Sequence, residues 1–200
     1  MNNYWFYFIF MFNISLGHRR KNKTMKKFKH NLELLITKKE IHEKIKKLAS
    51  SLNAQYKGKE VTIIGVMNGG LFMLADLLKK LKFKVNIDTI SIANYTNIHF
   101  SKGVVWQKKV HKPIITGNDV IVIEDIIDTG YTLTEIYEEL AFWNPKSIRM
   151  ITLLDKEGTH PNFKYPYESL FKVPNKFIVG YGLDMNDMYR QLDQIYTVEQ

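Results

Sequence analysis

Residues 120–124 read VIVIE, and no other stretch limits the fold of this chain so tightly. The run is too short for a helix and too uniformly apolar for a strand with one wet face. It fits a strand buried on both faces, which is characteristic of parallel sheets with helices packed above and below. Residues 61–67 (VTIIGVM), 85–93 and 147–154 read as further strands, with a short last one at 177–179. Helical periods fall between them. Thr37 and Glu40 stand three apart as a capping box, and Ile41, Ile45, Leu48, Ala49 and Leu52 follow on one stripe. Two more helices are expected at 71–81 and 133–143, the second ended by Pro145. This alternation predicts the α/β class, a doubly wound, mainly parallel sheet with right-handed crossovers. Residues 94–112 are polar and irregular and read as a long loop, functional or mobile.

Two hundred residues with 45% hydrophobic composition are enough for one domain with a real core. The absence of cysteine excludes disulfides, thiolate metal sites and cysteine nucleophiles, and fits a reducing compartment. The net charge of +9 could serve nucleic acid, a membrane or a polyanionic substrate. Its lysines scatter along helical faces instead of clustering, so neither nucleic acid nor membrane is expected as a partner. Arg19, Arg20, Lys21 and Lys23 precede Met25 and follow an apolar run, YWFYFIFMF, at residues 4–12. That run is too short to span a bilayer and has its basic residues on the wrong side for a secretory signal. Residues 1–24 therefore read as an extension, either mis-assigned to the chain or disordered, with the folded domain over 25–200. An interfacial anchor or a subunit contact are the other readings.

In sheets of this kind ligands bind beyond the carboxyl ends of the strands. The strand at 120–124 leads into Glu124, Asp125, Asp128 and then Thr129-Gly130-Tyr131-Thr132 at a helix start. Glycine permits a tight turn, the first helical amides are free to donate, and two hydroxyls add to them, which together suit a phosphate monoester. Glu124 and Asp125, adjacent at the strand's end and pointing to opposite sides, could accept hydrogen bonds from sugar hydroxyls. Asp128 could act as a general base or face a developing cation. Taken alone, acids before a helix are as easily caps, and Asn68-Gly69-Gly70 is only a turn signal.

Together these residues resemble the type I phosphoribosyltransferases, and within them the hypoxanthine-guanine branch, over roughly residues 32–198. The motif is EDIIDTGYT, residues 124–132. The resemblance implies that fold, with a small hood and a mobile active-site loop. It also implies pentosyl transfer in purine salvage, in which phosphoribosyl pyrophosphate and hypoxanthine or guanine give nucleotide and pyrophosphate. By that likeness Glu124 and Asp125 hold the ribose hydroxyls, and Asp128 is the catalytic base at purine N7. Thr129, Gly130, the Tyr131 amide and Thr132 take the 5′-phosphate. Asn68, Gly69 and Gly70 form a pyrophosphate loop, commonly with a cis peptide before its second residue. Lys156 reads the purine O6, Phe177 stacks on the ring, and the Ile178 main chain reads its edge. Arg190 meets the pyrophosphate. Mg²⁺ is the implied cofactor, with Glu124, Asp125 and Asp184 as its carboxylates. The implied enzyme is cytoplasmic and a homodimer or homotetramer.

The chain departs from the family pattern at three places. Asn94-Tyr95 stands where the mobile loop usually opens with Ser-Tyr, leaving Tyr95 as the closing contact. Tyr131 replaces a residue that is often lysine. Glu157-Gly158-Thr159-His160 follows Lys156 where arginine is common, so that contact weakens or falls to His160. The alternatives are an enzyme for xanthine, a non-enzymatic sensor of the same sugar that binds RNA, and a receiver-like phosphoacceptor domain.

Overall fold

A computed structural model describes residues 30–95, 103–110 and 112–199. The expectations for residues 1–24 and for a start at Met25 lie outside the described residues. The elements run β1 (Leu32–Ile36), α1 (Lys38–Gln55), β2 (Glu60–Met67), α2 (Leu71–Leu78), β3 (Lys84–Tyr95) and β4 (Gly103–Lys108). A 3-10 turn at Lys112–Ile114 leads to β5 (Asp119–Ile127), α3 (Tyr131–Phe142), β6 (Ser147–Lys156), β7 (Tyr167–Val173), β8 (Ile178–Val179) and β9 (Ile195–Val198).

The main sheet has the order β4-β3-β2-β5-β6-β7, parallel except for β4 at one edge. Its central strands alternate between two apolar layers. Ile63, Ile121, Ile123, Ile151 and Leu153 pack against Ile41, Ile45 and Leu52 of α1 and Met73, Leu74 and Leu77 of α2. Ile64, Val66, Val120, Val122 and Met150 face the other way, against Leu133, Ile136 and Leu140 of α3. Each such side chain contributes about 1.5–3 kcal/mol on burial, so β2, β5 and β6 have register fixed from both faces. The sheet is doubly wound. From β2 the chain crosses by α2 to β3 on one side, and from β5 by α3 to β6 on the other. The switch point therefore lies between β2 and β5, the position where ligands enter such sheets.

Thr37 caps α1 as its spacing implies. Its hydroxyl accepts from Glu40 N–H at 3.3 Å, and its own N–H donates to the Glu40 carboxylate at 2.9 Å. Several boundaries differ from expectation. The loop expected at 94–112 is partly sheet, because β3 continues through Asn94 and Tyr95 and β4 pairs back on it; residues 96–102 and 111 lie outside the described residues. β5 does not stop at Glu124 but runs on to Ile127, so the paired acids sit within the last turn of pleat rather than beyond it. The helices end at Leu78 and Phe142, and the strand expected to begin at Phe177 begins at Ile178. That strand joins β1 and β9 in a separate antiparallel sheet of order β1-β9-β8, the small hood. Ile36, Ile178 and Ile195 bury the hood's inner face in the first apolar layer.

Candidate active site

A cleft of about 310 Å³ opens at the switch point. The ends of β2 and β5, the turn into α3 and the segment after β8 build it, through Asn68, Gly69, Glu124, Asp125, Asp128, Thr129, Gly130, Thr132, Asp184 and Arg190. Ten residues proposed from sequence thus meet in one place.

The turn 128–130 is shaped by Gly130, whose φ of 77° is one that residues with a side chain rarely adopt. It serves as the N-cap of α3, and Thr134 N–H donates to its carbonyl at 3.0 Å as the first helical bond. The Tyr131 N–H donates to the Thr129 hydroxyl at 3.4 Å, and the next two amides precede the first helical bond, so the helix begins with donors beside the cleft. Tyr131 itself is exposed and its ring does not line the cleft.

Glu124 and Asp125 do not diverge as strand neighbours ordinarily do. Asp125 N–H donates to the Glu124 carboxylate at 3.0 Å, which folds the longer side chain back toward the cleft. Burial, and then the charge of Asp125, push the Glu124 carboxyl well above the usual carboxylate range. Burial also raises Asp125, opposed by its hydrogen bonds to Glu124 and to the Ile126 main chain and by the nearby Arg190 guanidinium. A buried acid beside a half-buried one is poorly satisfied by the protein alone and well suited to hydroxyl donors or a cation.

Across the cleft, Arg190 forms a 2.6 Å ion pair with Asp184 and donates to the Gly182 carbonyl at 2.7 Å. Asp184 also accepts from Asp187 N–H at 2.9 Å. Among the described residues no three or more histidines and acids gather closely enough to hold a metal by themselves. Glu124, Asp125 and Asp184 offer oxygen only, the chemistry of a hard divalent cation. They fit such an ion if most of its ligands come from a bound substrate.

A second hollow, of about 700 Å³, is lined by Lys156 and Phe177 together with Glu33, Asn175, Lys176 and Val198. Lys156 joins it to the first. Its ammonium donates to Asp128 Oδ2 at 2.7 Å, with the lysine side chain only 13% exposed. Phe177 presents an exposed ring, 44% accessible, and its carbonyl accepts from Val198 N–H at 2.9 Å. Ile178 is buried in the first apolar layer and does not line the hollow. Gly70 is buried at the start of α2 and does not line the cleft. The Met67–Asn68 peptide is cis. Tyr95 closes β3, and its side chain lies outside the described residues. His160 does not reach the cleft. Its Nε2 sits 3.3 Å from Asp155 and 2.9 Å from the Tyr167 hydroxyl, which removes it as a substitute for the missing arginine.

The family model for the phosphoribosyl transferase domain matches residues 36–186. The hypoxanthine-guanine phosphoribosyltransferase of Bacillus subtilis is 38% identical over 84% of this chain and 93% of its own length. The bifunctional protein TilS/HprT of Listeria innocua is 37% identical over 82% of this chain, which spans only 25% of that larger protein. A crystal structure of a Bacillus anthracis hypoxanthine-guanine phosphoribosyltransferase superposes with a TM-score of 0.76 at 36% identity, covering 84% of this chain and 98% of the other. The cleft at the switch point, the glycine turn after β5 and these relatives agree: the chain belongs to the phosphoribosyltransferase family, in its hypoxanthine-guanine branch.

Proposed function

We propose that the chain transfers the 5-phosphoribosyl group of phosphoribosyl pyrophosphate to N9 of hypoxanthine and guanine, releasing pyrophosphate. The observation that carries this reading is the Lys156–Asp128 ion pair, which stands where the cleft with the phosphate turn meets the hollow with the aromatic ring. A 6-oxopurine entering between them offers O6 to the ammonium and the N7 proton to the carboxylate. Both partners of the resting ion pair are then used, whereas adenine would leave the ammonium without an acceptor. A site whose buried charge goes unpaired with the wrong ligand can discriminate by ~10⁴-fold.

Thr129, Gly130, the Tyr131 amide and Thr132 hold the 5′-phosphate at the start of α3, where donors and helix dipole favour an anion. Glu124 and Asp125 accept from the ribose hydroxyls. Asn68 and Gly69 face the pyrophosphate with their main chain, while Gly70 seats the turn behind them with its N–H on the Val66 carbonyl, and Arg190 supplies a planar fork to the same group. Phe177 stacks on the purine, and the Ile178 main chain reads its edge. Glu124, Asp125 and Asp184 would hold Mg²⁺, which would supply positive charge against the pyrophosphate leaving group. As the bond from N9 to the anomeric carbon forms and the bond to pyrophosphate breaks, Asp128 takes the N7 proton. The cationic sugar requires water to be kept out while the bonds exchange.

The test is nucleotide formation from labelled hypoxanthine, guanine, xanthine, adenine and uracil, with and without Mg²⁺. Magnesium-dependent IMP and GMP are expected. Nucleotide from xanthine alone would move the specificity, and none from any base would overturn the reading.

A further inference from the structure

We infer that the crossover between β6 and β7, residues 157–166, is a brace for the reacting turn, with Thr159 and Phe163 as positioning residues. This rests on the proposed transferase reaction. The Thr159 hydroxyl lies 2.8 Å from the Asp128 main-chain oxygen and 2.9 Å from that of Lys156, so its one proton is shared between the two. These are the two residues whose side chains form the ion pair at the junction of the cleft and the hollow. A single hydroxyl thus fixes, from behind, the spacing of the backbone that carries the base and the backbone that carries the O6 donor. No strand pairing does this, because the parallel ladder of β5 and β6 ends at Ile127 and Asp155.

The second point of contact is Phe163. Its ring lies against Gly130, so closely that a Cβ there would meet the ring at 2.9 Å. Phe163 is itself packed edge-on to Tyr165 and Tyr167 and against the apolar layer under α3. The ring supports the phosphate turn at the residue whose left-handed backbone shapes it.

The crossover is anchored in its turn. His160 Nδ1 is 3.3 Å from Thr159 Oγ1, and its Nε2 faces Asp155 and the Tyr167 hydroxyl. Tyr167 donates to Asp155 at 3.0 Å, and burial together with that carboxylate pushes its phenol up to about 12. Tyr167 therefore stays protonated and donating across the working pH range. Of the ionisable groups facing this anchor, only Asp155, His160 and Tyr167 take part. His160 is thus bound into the support of the turn instead of into substrate contact.

Three variants separate the two contacts. Thr159→Val keeps the shape and loses the hydroxyl, and Thr159→Ser keeps the hydroxyl. The valine variant should lose about 10-fold in kcat and gain in KM for the base, with KM for phosphoribosyl pyrophosphate within about twofold, while the serine variant stays near wild type. Phe163→Leu should raise KM for phosphoribosyl pyrophosphate several-fold and leave KM for the base unchanged. Binding of phosphoribosyl pyrophosphate with Mg²⁺, measured by calorimetry without the base, gives the same split independently of turnover. Valine and serine variants that behave alike, or losses spread evenly over both substrates, would overturn the brace. Failure of the wild type to form nucleotide would instead overturn the reaction on which it rests.

Discussion

Asp128 and Glu124 sit four residues apart and face opposite demands. Asp128 is 45% exposed in its side chain and paired with the Lys156 ammonium. Asp128→Asn keeps the shape and a hydrogen-bonding group but removes the base. Turnover should fall by ~10²–10⁴-fold, the range for a lost acid–base group; near-normal turnover in steady state would reject the role. Glu124 is buried and held above its ordinary ionisation range by burial and by Asp125. The unfolded chain then gives up this proton at lower pH than the folded one. Stability from this group is complete in acid and declines as pH rises from the ordinary glutamate range to the raised value. Glu124→Gln removes the decline. The free variant should match wild type in Tm near pH 4 and exceed it by about 2–4 °C near pH 7, the equivalent of about 1 kcal/mol in a chain of this size. The same variant should bind phosphoribosyl pyrophosphate more weakly. A Tm difference that does not change with pH would contradict the assignment.

The hood and the main sheet meet at a contact with no side chains in it. Gly182, at φ 106°, lies so close to Gly69 that a Cβ would overlap the Gly69 carbonyl oxygen. Tyr181, next to it, donates to Asp76 of α2 at 2.8 Å. The segment carrying Asp184 and Arg190 is thereby held against the loop of Asn68 and Gly69. Gly182→Ala combines a steric overlap with a left-handed backbone, and should cost about 1–3 kcal/mol. A Tm lower by at least several degrees and a raised KM for phosphoribosyl pyrophosphate are expected, read from thermal melts and initial rates; an unchanged Tm would show that the contact yields easily. The sequence displays the glycines around 180 but not their partner. What was legible was local: β2 and β5 from unbroken β-branched runs, α1 from its capping box, and the phosphate turn from Thr129-Gly130 beside three acids. β4 escaped notice because an edge strand such as GVVWQK pairs on one side only and needs no apolar run. β1 and β9 are short and form only by pairing across the whole chain, Leu32 with Val198. Thr159, His160 and Phe163 carry no period or motif, since their contacts exist only once β6 and β7 lie side by side.

The cleft draws on segments that the fold brings together from three regions: residues 68–69 after β2, 124–132 from β5 into α3, and 184–190 beyond the hood strand. They lie on opposite sides of the switch point and beyond the second sheet, so a ligand spanning them adds ties between parts far apart in sequence. Ligand that binds only the folded chain adds about 2.7 kcal/mol at a hundred times its dissociation constant. For a chain of this size that is about 5–10 °C in Tm. How the shift depends on metal follows from the carboxylates. No three of the described acids and histidines gather into a metal cluster, and Asp184 is taken up by Arg190, so Mg²⁺ alone should move the melting point by less than about 1 °C. Phosphoribosyl pyrophosphate alone meets the buried Glu124 and half-buried Asp125 carboxylates with no cation to offset them, and should give a small part of the shift. The two together should give all of it, and chelation should reverse it. Scanning calorimetry with each component singly and in combination measures this directly. A full shift with the sugar pyrophosphate in chelator would mean that Glu124, Asp125 and Asp184 serve no ion, and that the charge of the leaving group is met by Arg190 and the main chain alone.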